Sequence, residues 1–372
     1  MKIVGNWQHD STWGVVPYMH ESLAPLNDDD SDQVLMNGGA WIYEHSIKEQ
    51  FKDYRRRCLL ALWSPCEFTA KEGYFHFDHY DFFTDVYSVC PFTCEFMNQH
   101  YGYEKFKYIP YPYTNRSVTE FGNYDADVSW MGSIHGQDHI SAVHTMLPFK
   151  YKFMTSQRNT WMRHPLEFTA CTHVMLPNDE KLVELSRCRS SLSFNMIYMS
   201  PASINNHFKA FEKFDEGIMP QFKVRNHEIA SSKSLLIVKR DPWNLMEDFY
   251  EPEKEFIYFD NFEELHDIIK DVRDNFEKYE PVIEAAYQKS QSYTAEKIYE
   301  YIKNDDKWYD KSTGKEYTQN AIQVTYGHIF GGKRSDVLTK FVACEGAQLV
   351  EQSVYRPDLF KSIDDPIVKD EN

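Results

Sequence analysis

Three side chains within six positions, Lys223, Arg225 and Glu228 in the run KVRNHEIASS, bring two cations and a carboxylate to one short segment. Cations so placed can stabilise negative charge on a leaving group, and the carboxylate can accept hydrogen bonds from hydroxyls. A second group is Gly132-Ser133, at the end of the apolar run VSWMG. Glycine allows close backbone approach, and exposed N–H groups at a helix start attract anions. The two groups lie about one small α/β domain apart in the chain.

The elements that must position these residues follow from periodicity. Glu228 opens a helical turn of small residues (Ala230, Ser231, Ser232), followed by an apolar strand, Leu235 to Val238. A second strand, Phe256 to Phe259, leads through Asn261 into a helix whose apolar positions Leu265, Ile268, Ile269, Val272 and Phe276 keep helical spacing. That alternation is what a parallel sheet with crossover helices produces. Upstream, strands are expected at Val128 to Gly132, Tyr151 to Met154 (followed by Ser156, Gln157 and Arg158) and Leu192 to Phe194, with a helix over Glu180 to Cys188. In the first part of the chain, Met1 to Gly5, Leu59 to Trp63, Tyr80 to Val89, and Phe106 to Tyr113 read as strands, and Asn27 to Asp32 as an acidic turn. The polar stretch Asn115 to Asp125 is the expected linker, and Ala295 to Ile302 the expected helix returning to the first half.

The run from Lys223 to the two following strands resembles the C-terminal half of GT-B glycosyltransferases, in particular the group-1-like branch that includes spore-maturation-type enzymes. The shared pattern is roughly basic-x-Arg-x-x-Glu followed by small residues and a strand. The resemblance implies two Rossmann-like parallel-sheet domains facing each other across a cleft, with boundaries at 1–122 and 123–304 and a C-terminal extension over 305–372. It implies a transferase moving a sugar from a nucleotide-diphosphate sugar to an acceptor hydroxyl, with that donor as substrate, no cofactor and no metal. By the same resemblance Glu228 takes the ribose hydroxyls, Lys223 and Arg225 the phosphates, and the Gly132-Ser133 loop lies near the diphosphate. Arg158, at the end of the following strand, joins them. Many retaining members carry a second acid with seven residues between the two. Pro220 stands at that position, so retention of configuration is not supported.

An inverting transfer also needs a base in the N-terminal half to take the acceptor proton. His9, Asp10 and Glu67 are the candidates, with Glu67 and Asp10 ahead of His9, because each follows an expected strand at the sheet's C-terminal edge. Metal motifs are discounted. Asp125-x-Asp127 precedes a strand instead of following one, Asp28 to Asp30 lacks the glycine and terminal glutamate of a calcium loop, Cys90 and Cys94 have no second pair, and His76 and His79 read as scattered surface histidines.

At 372 residues, 42% apolar and 26% charged, the chain can bury two cores. An aromatic share of 16% suits sugar-holding clefts and aromatic cores alike. No run approaches the ~20 apolar residues of a membrane span. The start MKIVGNWQHD lacks a signal peptide's apolar stretch, and seven irregularly spaced cysteines form no disulfide framework, so a cytoplasmic protein is expected. A net charge of −17 argues against salt-driven binding to a nucleic-acid backbone. The densest basic run, Lys52 to Arg57, reads as a solvated helix face. Two rivals follow: a phage-type glycosyltransferase acting on DNA bases, and a non-catalytic sugar-nucleotide-binding protein of the same fold. A Rossmann oxidoreductase is disfavoured because no Gly-x-Gly-x-x-Gly follows a strand.

Overall fold

The computed structural model describes residues 1–5, 19, 21–37, 45–62, 80–91, 94, 97–98, 101–114, 118, 120–155, 164–174, 176–198, 218–305, 307–310 and 315–318. The N-terminal half contains β1 (Lys2–Gly5), β2 (Gln33–Asn37), helix α1 (His45–Phe51), β3 (Arg56–Ala61), β4 (Asp85–Ser88) and β5 (Phe106–Tyr108). The five strands form one all-parallel sheet in the order β1-β2-β3-β4-β5. β2 was not expected from the sequence: only Val34, Leu35 and Met36 are apolar between polar flanks, too short a run to show a period.

The expected solvated helix face at Lys52 to Arg57 is corrected. Helix α1 ends at Phe51, and Arg56 is the first residue of β3, with a fully buried side chain. Its guanidinium donates to both oxygens of Asp85 at 3.2 Å and to Tyr87 Oη at 2.8 Å. Burial works against the Asp85 carboxylate, yet Arg56 and Lys107 hold it below the usual carboxylate range. A cation can sit inside the sheet because the neighbouring strand carries its counter-charge.

The C-terminal half contains β6 (Ala126–Met131), α2 (Gln137–Met146), β7 (Tyr151–Thr155), α3 (Pro165–Thr169), β8 (His173–Val174), α4 (Asn178–Ser186), β9 (Cys188–Phe194), a short antiparallel pair β10 (Met196–Tyr198) and β11 (Ile218–Pro220), α5 (Val224–Ser231), β12 (Leu235–Lys239), β13 (Ile257–Phe259), α6 (Phe262–Asp274), α7 (Glu280–Ser290) and α8 (Ala295–Asn304). Six strands make a second parallel sheet ordered β13-β12-β9-β6-β7-β8. Every side chain of β6 is buried, as expected for a parallel strand covered on both faces. Helix α6 starts where Asn261 Oδ1 accepts from Glu264 N at 2.9 Å, and it buries Leu265, Ile269 and Val272. The expected elements of this half are all present, within a few residues of their expected ends.

The chain crosses between the halves twice, side by side. Outgoing Tyr113 bridges Thr294, and its carbonyl accepts from Ala295 N at 2.9 Å where α8 begins. Helix α8 then lies on the first sheet. Tyr299 Oη accepts from the amino terminus of Met1 and donates to the carbonyls of Met1 and Leu26. Asp305 receives Tyr87 Oη at 2.5 Å and Lys107 Nζ at 2.6 Å. Beyond it, β14 (Lys307–Asp310) and β15 (Lys315–Thr318) form an antiparallel pair.

Candidate functional site

Written from its third strand, the second sheet runs β8-β7-β6-β9-β12-β13, the order of a doubly wound fold, which reverses direction between β6 and β9. Loops leaving those two strands diverge to opposite faces and open a crevice at their C-terminal ends. The residues that end them are Gly132 after β6 and Asn195 after β9.

At that crevice the two sequence signals meet. A Cβ added to Gly132 would stand 3.1 Å from one terminal nitrogen of Arg225, 3.3 Å from the other and 3.2 Å from Trp130 Cζ2. The guanidinium therefore rests on the glycine, and no side chain fits between them. Lys223 is the N-cap residue of α5, and its ammonium donates to Gln221. Both cations act on His139, in the first turn of α2. Burial, then Arg225, His135 and Lys223, press its pKa down to about 3, so the ring is neutral near pH 7. Burial also lowers Arg225 itself to about 10, with Glu228 opposing; it stays charged near neutral pH.

Four successive residues of α5 each carry a buried polar atom with no hydrogen-bond partner among the described residues: Arg225 Nε, Asn226 Oδ1, His227 Nε2 and Glu228 Oε2. Trp130 Nε1, beside Gly132, is a fifth. Native proteins leave few such groups. Their concentration on the N-terminal half of one helix is what a site for a polar ligand requires.

Side chains not singled out in the sequence hold this arrangement. Asn195 is fully buried, and its Oδ1 accepts from Lys223 N at 3.2 Å and from Asn226 Nδ2 at 2.7 Å. From the end of β9 it thus ties down the N-cap residue and the third residue of α5. Glu167 Oε1 accepts from Ile134 N at 2.8 Å, and His139 Nδ1 accepts from His135 N at 3.2 Å. Two backbone N–H groups of the 132–136 loop are thus already taken. Gly132 N also donates to the Met154 carbonyl at 2.9 Å, and Arg225 brings a positive charge to the same loop. The sequence signal for Glu167 was present in His164-Pro165-x-Glu167, since His164 and Glu167 form a capping box around α3. Asn195 gave none beyond a polar residue closing an otherwise buried strand.

Glu228 does not open its helix, as expected, but is its fifth residue, one turn in from Arg225. It is 1% exposed and accepts from Lys181 Nζ at 2.6 Å. Next to it, His227 is fully buried among Tyr113, Phe222, Phe249, Tyr250 and Tyr293, with Nδ1 2.8 Å from Tyr250 Oη. Burial lowers its pKa to about 3. Because Tyr113 and Tyr293 belong to the two interdomain crossings, α5 is anchored directly to the junction.

Ser133 is half-buried beside Gly132. Arg158, His9, Asp10, Glu67, His76 and His79 lie outside the described residues. Asp125 and Asp127 stand at the opposite edge of the sheet, beside Lys152 at 2.6 Å and Arg189 at 3.8 Å respectively. Pro220 ends β11, paired with Met196.

Residues 156–304 match the family model described as glycosyl transferase-like. This part of the chain is similar to that family. It contains α5, Asn195 and Glu228, and it belongs to a chain with two parallel sheets and a helix, α8, that returns to the first of them. No curated protein matches by sequence. Among solved structures, TarM of S. aureus is similar at 11% identity, with 77% of this chain and 57% of TarM covered and a TM-score of 0.48. HepE of Anabaena, solved with UDP and glucose, is similar at 12% identity, with 77% and 80% covered and a TM-score of 0.48. The pneumococcal O-GlcNAc transferase GtfA, solved with UDP and GlcNAc, gives 13%, 77% and 58%, with a TM-score of 0.43. The chain thus spans little more than half the length of TarM and GtfA. Among the described residues no helix is long and apolar enough to cross a membrane.

Proposed function

We propose that the chain transfers a sugar from a nucleoside-diphosphate sugar, held by residues 123–304, to an acceptor hydroxyl presented by residues 1–122, with 305–372 as an extension of the fold. The observation that carries this reading is the Arg225 guanidinium resting on Gly132 at the switch point of a glycosyltransferase domain. A diphosphate entering that crevice meets two cations, Arg225 and Lys223. As the bond from the anomeric carbon to the diphosphate breaks and the bond to the acceptor oxygen forms, they stabilise the charge left on the departing nucleotide. Two fixed cations can do there what a divalent metal does elsewhere, so the reaction is proposed to be metal-independent. Ser133 and Arg158 complete the donor site in this reading, Glu228 takes the ribose, and Glu67, Asp10 or His9 takes the acceptor proton. The acceptor in this reading is a glycan or another cell-surface or viral glycoconjugate; the charge of −17 weighs against DNA.

The test is a thermal-shift screen with UDP, GDP, TDP and CMP, with and without EDTA, followed by turnover of the matching sugar nucleotide. One nucleoside diphosphate should raise the melting temperature by mass action, undiminished by EDTA. A shift abolished by EDTA contradicts metal independence. Binding with no hydrolysis or transfer of the sugar favours the non-catalytic rival.

A further inference from the structure

Glu228 is held from one side only. One oxygen accepts from Lys181 Nζ at 2.6 Å, and the other, Oε2, is buried with no partner among the described residues. Lys181 stands near the start of α4, and its side chain is 15% exposed. The two helices are kept in register beside this pair by Ser232 Oγ, which donates to the Leu182 carbonyl at 3.4 Å. Arg225, three residues before Glu228 and so on the same helix face, is the other cation whose charge Glu228 meets. A carboxylate this buried needs a counter-charge, and an ion pair through one oxygen also fixes the plane of the group. An oxygen fixed in that way can distinguish a ligand that donates a hydrogen bond to it from one that does not.

We propose that Lys181 is a positioning residue for donor selection: by occupying one oxygen of Glu228, it turns the other toward the ribose hydroxyls of the nucleotide, and so sets the preference for ribonucleotide over deoxyribonucleotide. This rests on the donor reading above, in which Glu228 receives the ribose. Lys181 touches no donor atom in this arrangement. Its effect passes wholly through the orientation of Glu228.

The test is isothermal titration of UDP and GDP, each against its 2′-deoxy form, with the wild-type chain, Lys181→Met, Lys181→Arg, Glu228→Gln and the double variant Lys181→Met/Glu228→Gln. The wild type should favour the ribonucleotide by on the order of tenfold or more, as expected for a hydrogen bond to a charged group. Lys181→Met should reduce that ratio to about twofold or less while phosphate-dependent binding persists, and Lys181→Arg should restore most of it. Glu228→Gln should abolish the ratio, and adding Lys181→Met to it should change nothing further. If Lys181→Met folds poorly, Lys181→Gln, which keeps a neutral donor at that position, takes its place and should likewise lower the ratio below the wild-type value. A wild type with no ribose preference, or binding neither nucleotide, overturns the reading of Glu228 and this inference with it. A ribose preference kept by Lys181→Met overturns the role of Lys181 alone.

Discussion

The two parallel sheets of this chain use buried charge in opposite ways. In the first sheet the described strands follow one another in chain order, and the buried cation, Arg56, is matched on the next strand by both oxygens of Asp85 and by Tyr87. In the second the order reverses between β6 and β9, and the cation at that reversal, Arg225, meets a glycine and leaves Nε without a partner among the described residues. A charge paired with both oxygens of a carboxylate holds structure together; one without such a pairing at a crevice is available to a ligand. The topological reversal creates that crevice.

This contrast breaks most visibly at Arg56. Arg56→Met should destabilise the chain by about 3–5 kcal/mol, the cost of leaving Asp85 buried without its partner, as read by urea denaturation. Nucleotide affinity per folded molecule should stay within a factor of two. Arg225→Met should do the reverse, lowering nucleoside-diphosphate affinity by on the order of a hundredfold with a much smaller change in stability, because a charge-assisted contact to the ligand is lost while Glu228 keeps Lys181 as its ion-pair partner. If both variants lose affinity equally, the distinction between the sheets fails.

A smaller and sharper effect concerns pH. His139 and His227 both have pKa values lowered to about 3, so between pH 6.5 and 3 the unfolded chain binds more protons than the folded one. Stability is then fully present above the unfolded value near 6.5 and declines as the pH falls toward 3. Each histidine contributes about 1.4 kcal/mol per pH unit in that window. His227→Gln should roughly halve the slope; an unchanged slope in chemical denaturation at pH 6.5, 5.5 and 4.5 would mean that the ring is not buried neutral.

Much of the second half was legible in the sequence because long parallel strands such as LLIV and the strongly periodic helix over Phe262–Asp274 state their type locally. Gly132 was placed at a strand end, which a chain pattern reveals, and Arg225 ahead of the helix that in fact contains it. Their contact was not, since it depends on which strands are neighbours in the sheet. The same limit hid Asn195 and Lys181, whose roles are hydrogen bonds to residues distant in the chain. Arg56 was misread for a related reason. A basic run looks solvated until the partner that neutralises it, Asp85, is brought beside it by strand pairing.

The most direct measurement is a crystal structure of the chain with the nucleoside diphosphate that gives the largest thermal shift. The diphosphate should lie in the crevice between β6 and β9, with phosphate oxygens within about 3 Å of Arg225 and Lys223, the charge-assisted hydrogen-bond range. A nucleotide bound elsewhere, with Arg225 still resting on Gly132 and touching no phosphate, would contradict the central claim.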